Sequence, residues 1–311
     1  MKSLCIGVLG GSGFVGHHLL PHLHDQGHQL RVFTRRPERH RDLRVLPGLE
    51  LRAVDVHDEA ALTEALRGCQ AAVNLVGILN ETGHTHRTFR HVHVDLPAKL
   101  ARASRRAGAT RIIHLSAAGA DPNHGASMYL RTKGEGEQQL HINGGDRLDI
   151  TILRPSVIFG PGDLFLNRFA QLLKWAPGIF PLPCPWARMQ PVFVGDVVLA
   201  LAACLDRPDT IGQRYCLGGP HVHTLIELVR QTAETARIRR VVVPLPDMIS
   251  RLQAAIMAHL PGKPFSMDNY RSTQIDNVCP TNALTTVFAL APRSVAAMLP
   301  TYLPMRGSPR P

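Results

Sequence analysis

Gly10-Gly11-Ser12-Gly13-Phe14-Val15-Gly16 follows a short apolar run, Leu4–Leu9, and opens Phe14–Gln26, where apolar residues recur at helical spacing. A glycine triplet alone is weak evidence. Between a strand and a helix it is the phosphate-binding turn of a dinucleotide fold. Gly10 allows the sharp turn, and Gly13 lets the backbone approach a pyrophosphate. Gly16 lets the helix pack closely on the strand. The helix N-terminus then offers free N–H groups and a positive dipole end to phosphate.

Outward from this turn, β-branched runs alternate with helical patterns. The runs are Leu30–Thr34, Leu51–Val54, Ala72–Val76, Arg111–Leu115 and Asp149–Leu153. The helical patterns are Glu59–Arg67, Thr88–Ala107 and Met128–Ile142. Such alternation predicts an α/β fold: a Rossmann-type doubly wound parallel sheet with helices on both faces. After Gly160–Gly162 and Pro177–Pro191 the pattern loosens, with helical spacing at Val197–Leu205, Leu225–Ala236 and Met248–Leu260 and an apolar run at Val241–Val243. We expect a Rossmann domain over 1–155, a returning segment near 189–217, and a smaller cap over 156–311 ending in a loose tail, Arg306–Pro311. The amphipathic stretch Met248–Ile256 reads as core rather than as a membrane or partner surface.

The end of the second strand tests the nucleotide. An acid there holds a ribose 2′-hydroxyl, whereas an arginine accommodates a 2′-phosphate. Arg31-Val32-Phe33-Thr34-Arg35-Arg36 has no acid. Arg35 and Arg36 lie about 20 residues past the glycines, the expected distance. A guanidinium can grip phosphate bidentately and stack on adenine. The expected cofactor is therefore NADP(H), ahead of NAD(H). Asp55 and Val56 follow the third strand, toward the adenine. Asn74, Leu75, Val76 and Gly77 end the fourth, beneath the adenosine ribose and pyrophosphate.

Tyr129 and Lys133 form a Tyr-x-x-x-Lys pair on one face of a helical pattern. An ammonium beside a phenol favours the phenolate, which predicts a lowered tyrosine pKa fit for acid–base work. Lysine is scarce here and arginine abundant.

The 311-residue chain has a formal net charge of +11, spread along its length apart from a knot at Arg35, Arg36, Arg39, Arg41 and Arg44. Without a long basic run or interleaved aromatics, nucleic acid is not an expected partner. Cys5, Cys69, Cys184, Cys204, Cys216 and Cys279 show neither zinc-site nor disulfide-framework spacing, so free buried thiols are expected. The His84/His86 and His91/His93 pairs lack a carboxylate set, so no metal is expected. Lys2 and the apolar run after it read as a first strand rather than a signal peptide. The expected location is cytoplasmic, compatible with a peripheral seat on the inner face of a membrane.

The motifs from the glycine turn through Tyr129/Lys133 to Arg154–Pro161 and Gln190–Val197 resemble those of the extended short-chain dehydrogenase/reductases. Val76–Glu81, Phe89–Pro97, His114–Asp121, Asp163 with Phe165–Phe169, Asp268–Ser272 with Gln274, Asp276 and Asn277, and Pro300–Leu303 are similar to an atypical group. That group is the family of the nucleotide-binding accessory subunit of mitochondrial complex I. The resemblance covers nearly the whole chain. It implies firmly held NADPH, with a structural role in the mitochondrial member and epimerase, dehydratase or ubiquinone-related roles in others. It places Pro155, Ser156, Val157 and Ile158 at the nicotinamide end. It gives Tyr129 and Lys133 the further task of holding the nicotinamide ribose hydroxyls. It also expects a carbonyl-polarising hydroxyl about two places beyond the first Ser after the fifth strand. Ala117 and Ala118 stand there, leaving Ser116 to contact cofactor or backbone. His93 stands where a helper Asn is usual.

Three readings follow. One is an NADP(H)-bound scaffold, assembly factor or slow oxidoreductase partnered with respiratory-chain or quinone-biosynthesis proteins. Another is an active epimerase, dehydratase or reductase on a nucleotide sugar or quinone precursor. The third is an NADP(H)-sensing regulator.

Overall fold

The computed structural model describes residues 3–81, 88–258 and 265–303. The His84/His86 pair, Lys2, the end of the Met248–Leu260 pattern and the tail Arg306–Pro311 lie outside the described residues. The chain divides into two compact units. One comprises Met1–Arg154 with Val198–Tyr215, the other Pro155–Val197 with Cys216–Pro311.

The first unit is built on a parallel sheet. Its strands are β1 (Cys5–Leu9), β2 (Gln29–Thr34), β3 (Leu49–Ala53), β4 (Ala71–Asn74), β5 (Arg111–Leu115) and β6 (Asp149–Pro155), with Arg214–Leu217 at the far edge. The spatial order is β3-β2-β1-β4-β5-β6 and then Arg214–Leu217. β1 pairs in parallel with both β2 and β4, so the order reverses between β1 and β4. Right-handed crossovers then place α1 (Phe14–Asp25) on one face. They place α2 (Glu59–Leu66), α3 (Leu96–Ala107) and α4 (Met128–Gly144) on the other.

Residues dictate these elements locally. β1 is buried at all five positions, as a strand covered on both faces requires. Asp58 caps α2 by accepting from the Ala60 and Ala61 amides, and Ser127 caps α4 by accepting from Leu130. Leu62, Leu66, Leu96, Leu100, Ile112, Leu140 and Ile150 form one core beneath α2–α4. Each such side chain stabilises the fold by roughly 1.5–3 kcal/mol. One boundary differs from expectation. The Thr88–Ala107 pattern is not a single α-helix, because His91–Asp95 forms a π-helical turn before α3. Gly136 of α4 packs on that turn, and a Cβ there would overlap the His93 carbonyl oxygen.

The second unit is a set of short parallel and antiparallel ribbons with intervening helices. Ile158–Phe159 pairs with Val192–Phe193, Arg188–Met189 with His223–Thr224, and Ile179–Leu182 with Val241–Pro244. Asp163 ties a turn to a helix, accepting from Gly160 N at 3.1 Å, Phe165 N at 2.7 Å and the Tyr302 hydroxyl at 3.1 Å. Buried Asp196 pairs with Arg293 at 2.8 Å.

Two expectations are corrected in this unit. Cys216 and Cys279 are joined as a disulfide rather than standing as free thiols. They lie 63 residues apart, so folding rather than local spacing brings them together. Cys5, Cys69, Cys184 and Cys204 are buried and free. The expected core stretch Met248–Ile256 also faces outward. Its helix, Asp247–Met257, buries only Ser250 and Ala254, while Met248, Leu252 and Ile256 are 60–80% exposed. The inner side packs closely on Cys184 and Tyr270 and accommodates only small residues there. No described helix is long and apolar enough to cross a membrane.

Candidate functional site

The glycine turn lies at the β1/β4 reversal, where doubly wound sheets open a crevice at their carboxyl edge. Gly10 has φ +75°, a left-handed conformation. Its Cα faces the Leu75–Val76 backbone so closely that a Cβ would sit 3.0 Å from it. Gly16 is equally constrained, since a Cβ would overlap the Gly11 carbonyl. It packs the helix on the turn itself rather than on the strand. Gly13 is different. It is exposed, with φ −91°, and a Cβ would meet only Gly10 O at 3.2 Å. A side chain at Gly13 thus needs a shift of only a few tenths of an ångström in the turn, far less than at Gly16, and would project into the space outside. Among the described residues no side chain caps α1, and no acid stands in its first turn, so its positive end is left without an acidic partner there. Ser12, Phe14 and Val15 are partly exposed around this opening.

Arg35 and Arg36 follow β2 and are exposed. Neither pairs with a carboxylate among the described residues. Asp55 is exposed and accepts from His57 N of its own loop at 3.0 Å, while Val56 packs on the core. Asn74 is fully buried and fixes the end of β4. Its Oδ1 accepts from Val76 N at 3.1 Å and its amide nitrogen lies 3.1 Å from His114 Nδ1. Gly77 follows beside His93.

Tyr129 and Lys133 sit one turn apart on α4. Lys133 is buried and donates to Leu115 O at 2.7 Å. Burial pushes its pKa down to about 8, against the pull of Glu137. Tyr129 meets Phe89 and His93 edge-on, with ring centroids 6.1 and 5.4 Å away. The phenol is pushed up to about 12 by desolvation, opposite to the expected lowering. Burial outweighs the ammonium, which is tied to a backbone carbonyl.

His93 is 2% exposed. Its Nε2 accepts from Ile78 N at 3.1 Å and its Nδ1 lies 3.1 Å from the Thr132 hydroxyl. Thr132 donates onward to Met128 O at 2.8 Å, which assigns the His93 proton to Nδ1. Burial, then the Lys133 charge, pushes its pKa down to about 2. His93 is thus a neutral brace between the loop after β4 and α4. His114 is also held neutral by burial and by the nearby Lys133.

Ser116 follows β5, and its hydroxyl donates to Glu137. The same carboxylate, 1% exposed as a side chain, pairs with Arg154 at 2.5 Å and Arg214 at 3.2 Å. Ala117 and Ala118 are buried and offer no hydroxyl. Glu137 was not singled out from sequence, yet Tyr129, Lys133 and Glu137 stand at i, i+4 and i+8, a shared helix face that signals it. Pro155 ends β6 and begins the second unit. There Ser156 Oγ donates to Asn277 O at 2.8 Å, Val157 O accepts from Val192 N, and Ile158 pairs with Val192.

Comparison with known proteins agrees with this geometry. Residues 6–218 match the model of the NAD dependent epimerase/dehydratase family. The chain is 29% identical over 284 residues to NADH dehydrogenase (ubiquinone) 1 alpha subcomplex subunit 9 of Rattus norvegicus, covering 88% of this chain and 73% of that protein. It is 30% identical over 206 residues to ceramide reductase of Caulobacter vibrioides, covering 65% of this chain and 61% of that protein. The fold matches a UDP-glucuronic acid 4-epimerase from Bacillus cereus with a TM-score of 0.77, at 15% identity, over 96% of this chain and 98% of the other. The chain belongs to the NAD dependent epimerase/dehydratase family and, within it, to the group that includes this mitochondrial complex I subunit.

Proposed function

We propose that this chain holds NADP(H) on the Gly10–Gly16 turn and works as a cofactor-bound scaffold, assembly factor or slow oxidoreductase tied to respiratory complex I or ubiquinone-related metabolism. One observation carries the nucleotide choice. Two carboxylate-free guanidiniums, Arg35 and Arg36, stand past β2 where an NAD protein has an acid. They would take the 2′-phosphate. Asn74–Gly77 would run beneath the ribose and pyrophosphate, with Asp55 and Val56 toward adenine. Tyr129 and Lys133 would hold the nicotinamide ribose, and Pro155–Ile158 would border the ring. Bound NADP(H) supplies hydride chemistry.

Slow turnover follows from the chain's own donors. Ala117 and Ala118 cannot polarise a carbonyl, and Ser116 is committed to Glu137. A missing oxyanion-type donor costs about 2–4 kcal/mol of transition-state stabilisation. The relationship to the mitochondrial subunit supports a respiratory-chain partner. The test is to purify the protein, denature it and identify the released nucleotide. NADPH whose absorbance persists with quinones, aldehydes and sugar nucleotides supports this reading. Rapid oxidation by one of them overturns it in favour of a working enzyme. That second reading is favoured by the Tyr129/Lys133 pair and the likeness to a ceramide reductase.

A further inference from the structure

We propose that the second unit carries a docking face for membranes rich in anionic phospholipid. This surface does not depend on the cofactor reading.

The face has an apolar part. On the helix Asp247–Met257, Met248, Leu252 and Ile256 recur at i, i+4 and i+8 and are 80%, 60% and 60% exposed. They form one stripe, opposite the buried Ser250 and Ala254. The parallel ribbon Ile179–Leu182/Val241–Pro244 leads into this helix, with Leu245 N bonded to Leu182 O at 3.0 Å. Its outer positions, Ile179 and Val241, are paired in register and are 59% and 64% exposed. Both tryptophans of the chain belong to this unit and stand out from it, Trp175 at 81% and Trp186 at 68%. Exposed tryptophan suits the boundary between headgroups and acyl chains.

The face also has a charged part, which decides among occupants. Arg230, Arg237, Arg239 and Arg240 line one hollow of about 540 Å³ together with a single acid, Glu234, so the lining is net basic. None pairs with a carboxylate among the described residues. Arg240 is instead anchored by its Nε to Ala176 O at 2.7 Å, next to Trp175. Arg239 and Arg240 run directly into Val241 of the apolar ribbon. Basic side chains beside an apolar helix face and interfacial tryptophan are the combination that seats a monotopic protein. A second copy of this chain would bring the same unpaired arginines to the contact. A bilayer of phosphate headgroups complements them.

The test is co-sedimentation of the full chain with phosphatidylcholine vesicles and with vesicles of equal parts phosphatidylcholine and phosphatidylglycerol. Binding is expected to the second only, and to weaken with salt. Arg237→Gln with Arg239→Gln should reduce that binding by about 25-fold, from roughly 1 kcal/mol per basic residue. Leu252→Glu with Ile256→Glu should abolish it while circular dichroism and the melting temperature stay unchanged, because both residues are exposed. Equal binding to neutral vesicles, unchanged binding by both variants, or a dimer that Leu252→Glu dissociates would overturn the proposal.

Discussion

The Ser116 hydroxyl donates to the Glu137 carboxylate, which also receives the guanidiniums of Arg154 and Arg214. The hydroxyl after β5 is thereby spent on the fold, and the adjoining alanines add none. Glu137→Gln removes a buried charge from two half-exposed arginines. It should destabilise the chain by about 3 kcal/mol, toward the low end for a broken buried pair. Urea unfolding measures this, and a loss below the scatter of surface variants would show that the network contributes nothing.

Gly13 and Gly16 should separate binding from folding. Gly16→Val cannot fit against the Gly11 carbonyl and should lower the melting temperature markedly. Gly13→Val brings a Cβ to 3.2 Å from Gly10 O, which a small shift of the turn relieves, so it should fold, yet it would place a branched side chain where the proposed pyrophosphate would lie. Calorimetric titration with NADPH should show at least about 100-fold weaker binding for it, equivalent to a few kcal/mol.

The alternation of strands and helices was legible because buried parallel strands are continuous apolar runs. Arg111–Leu115 stands where the pattern placed it, and the other sheet edges shift by a residue or two. The π-helical turn at His91–Asp95 was not legible, since five residues are too few to distinguish its period from that of an α-helix. Glu137 was not singled out from sequence, although it stands one turn past Lys133 and two past Tyr129. The spacing shows that the three share a face, and the fold shows that this face is internal, with Glu137 bonded to Ser116 and Arg154. The Tyr129 phenol was misjudged because spacing reports which side chains neighbour each other but not how dry their surroundings are. The Cys216–Cys279 bond and the outward Met248 stripe depend on long-range packing in the same way.

His93 should make the protein acid-sensitive. Its pKa is lowered from the ordinary histidine value to about 2. As pH falls below about 6.5 the unfolded chain takes a proton there that the folded chain refuses, so stability is full above that pH and lost below it. The loss is about 1.4 kcal/mol per pH unit from this residue. Melting temperatures between neutral pH and pH ~5 should fall less steeply in His93→Asn than in the parent. Parallel curves would contradict the buried neutral imidazole.

Lys133 should be held at a cost to the fold. A lysine lowered to about 8 disfavours the folded state by about 3 kcal/mol at neutral pH. Losing its bond to Leu115 O returns about 1–3 kcal/mol of that. Lys133→Met should therefore be more stable than the parent by about 1 kcal/mol while binding NADPH less tightly. Between about pH 8 and the ordinary lysine range the unfolded parent binds the extra proton, so parent stability rises with pH there. The variant should lack that rise.

The nucleotide choice rests on Arg35 and Arg36, and their contribution is measured by calorimetric titration of NADPH and NADH into the apoprotein. The parent should prefer NADPH. Arg35→Ala with Arg36→Ala should weaken NADPH by about 10- to 100-fold, from charge-assisted hydrogen bonds of about 1.5–3 kcal/mol, and leave NADH nearly unchanged. Equal affinities in the parent, or an undiminished preference in the double variant, would contradict the assignment of this chain as an NADP(H) protein.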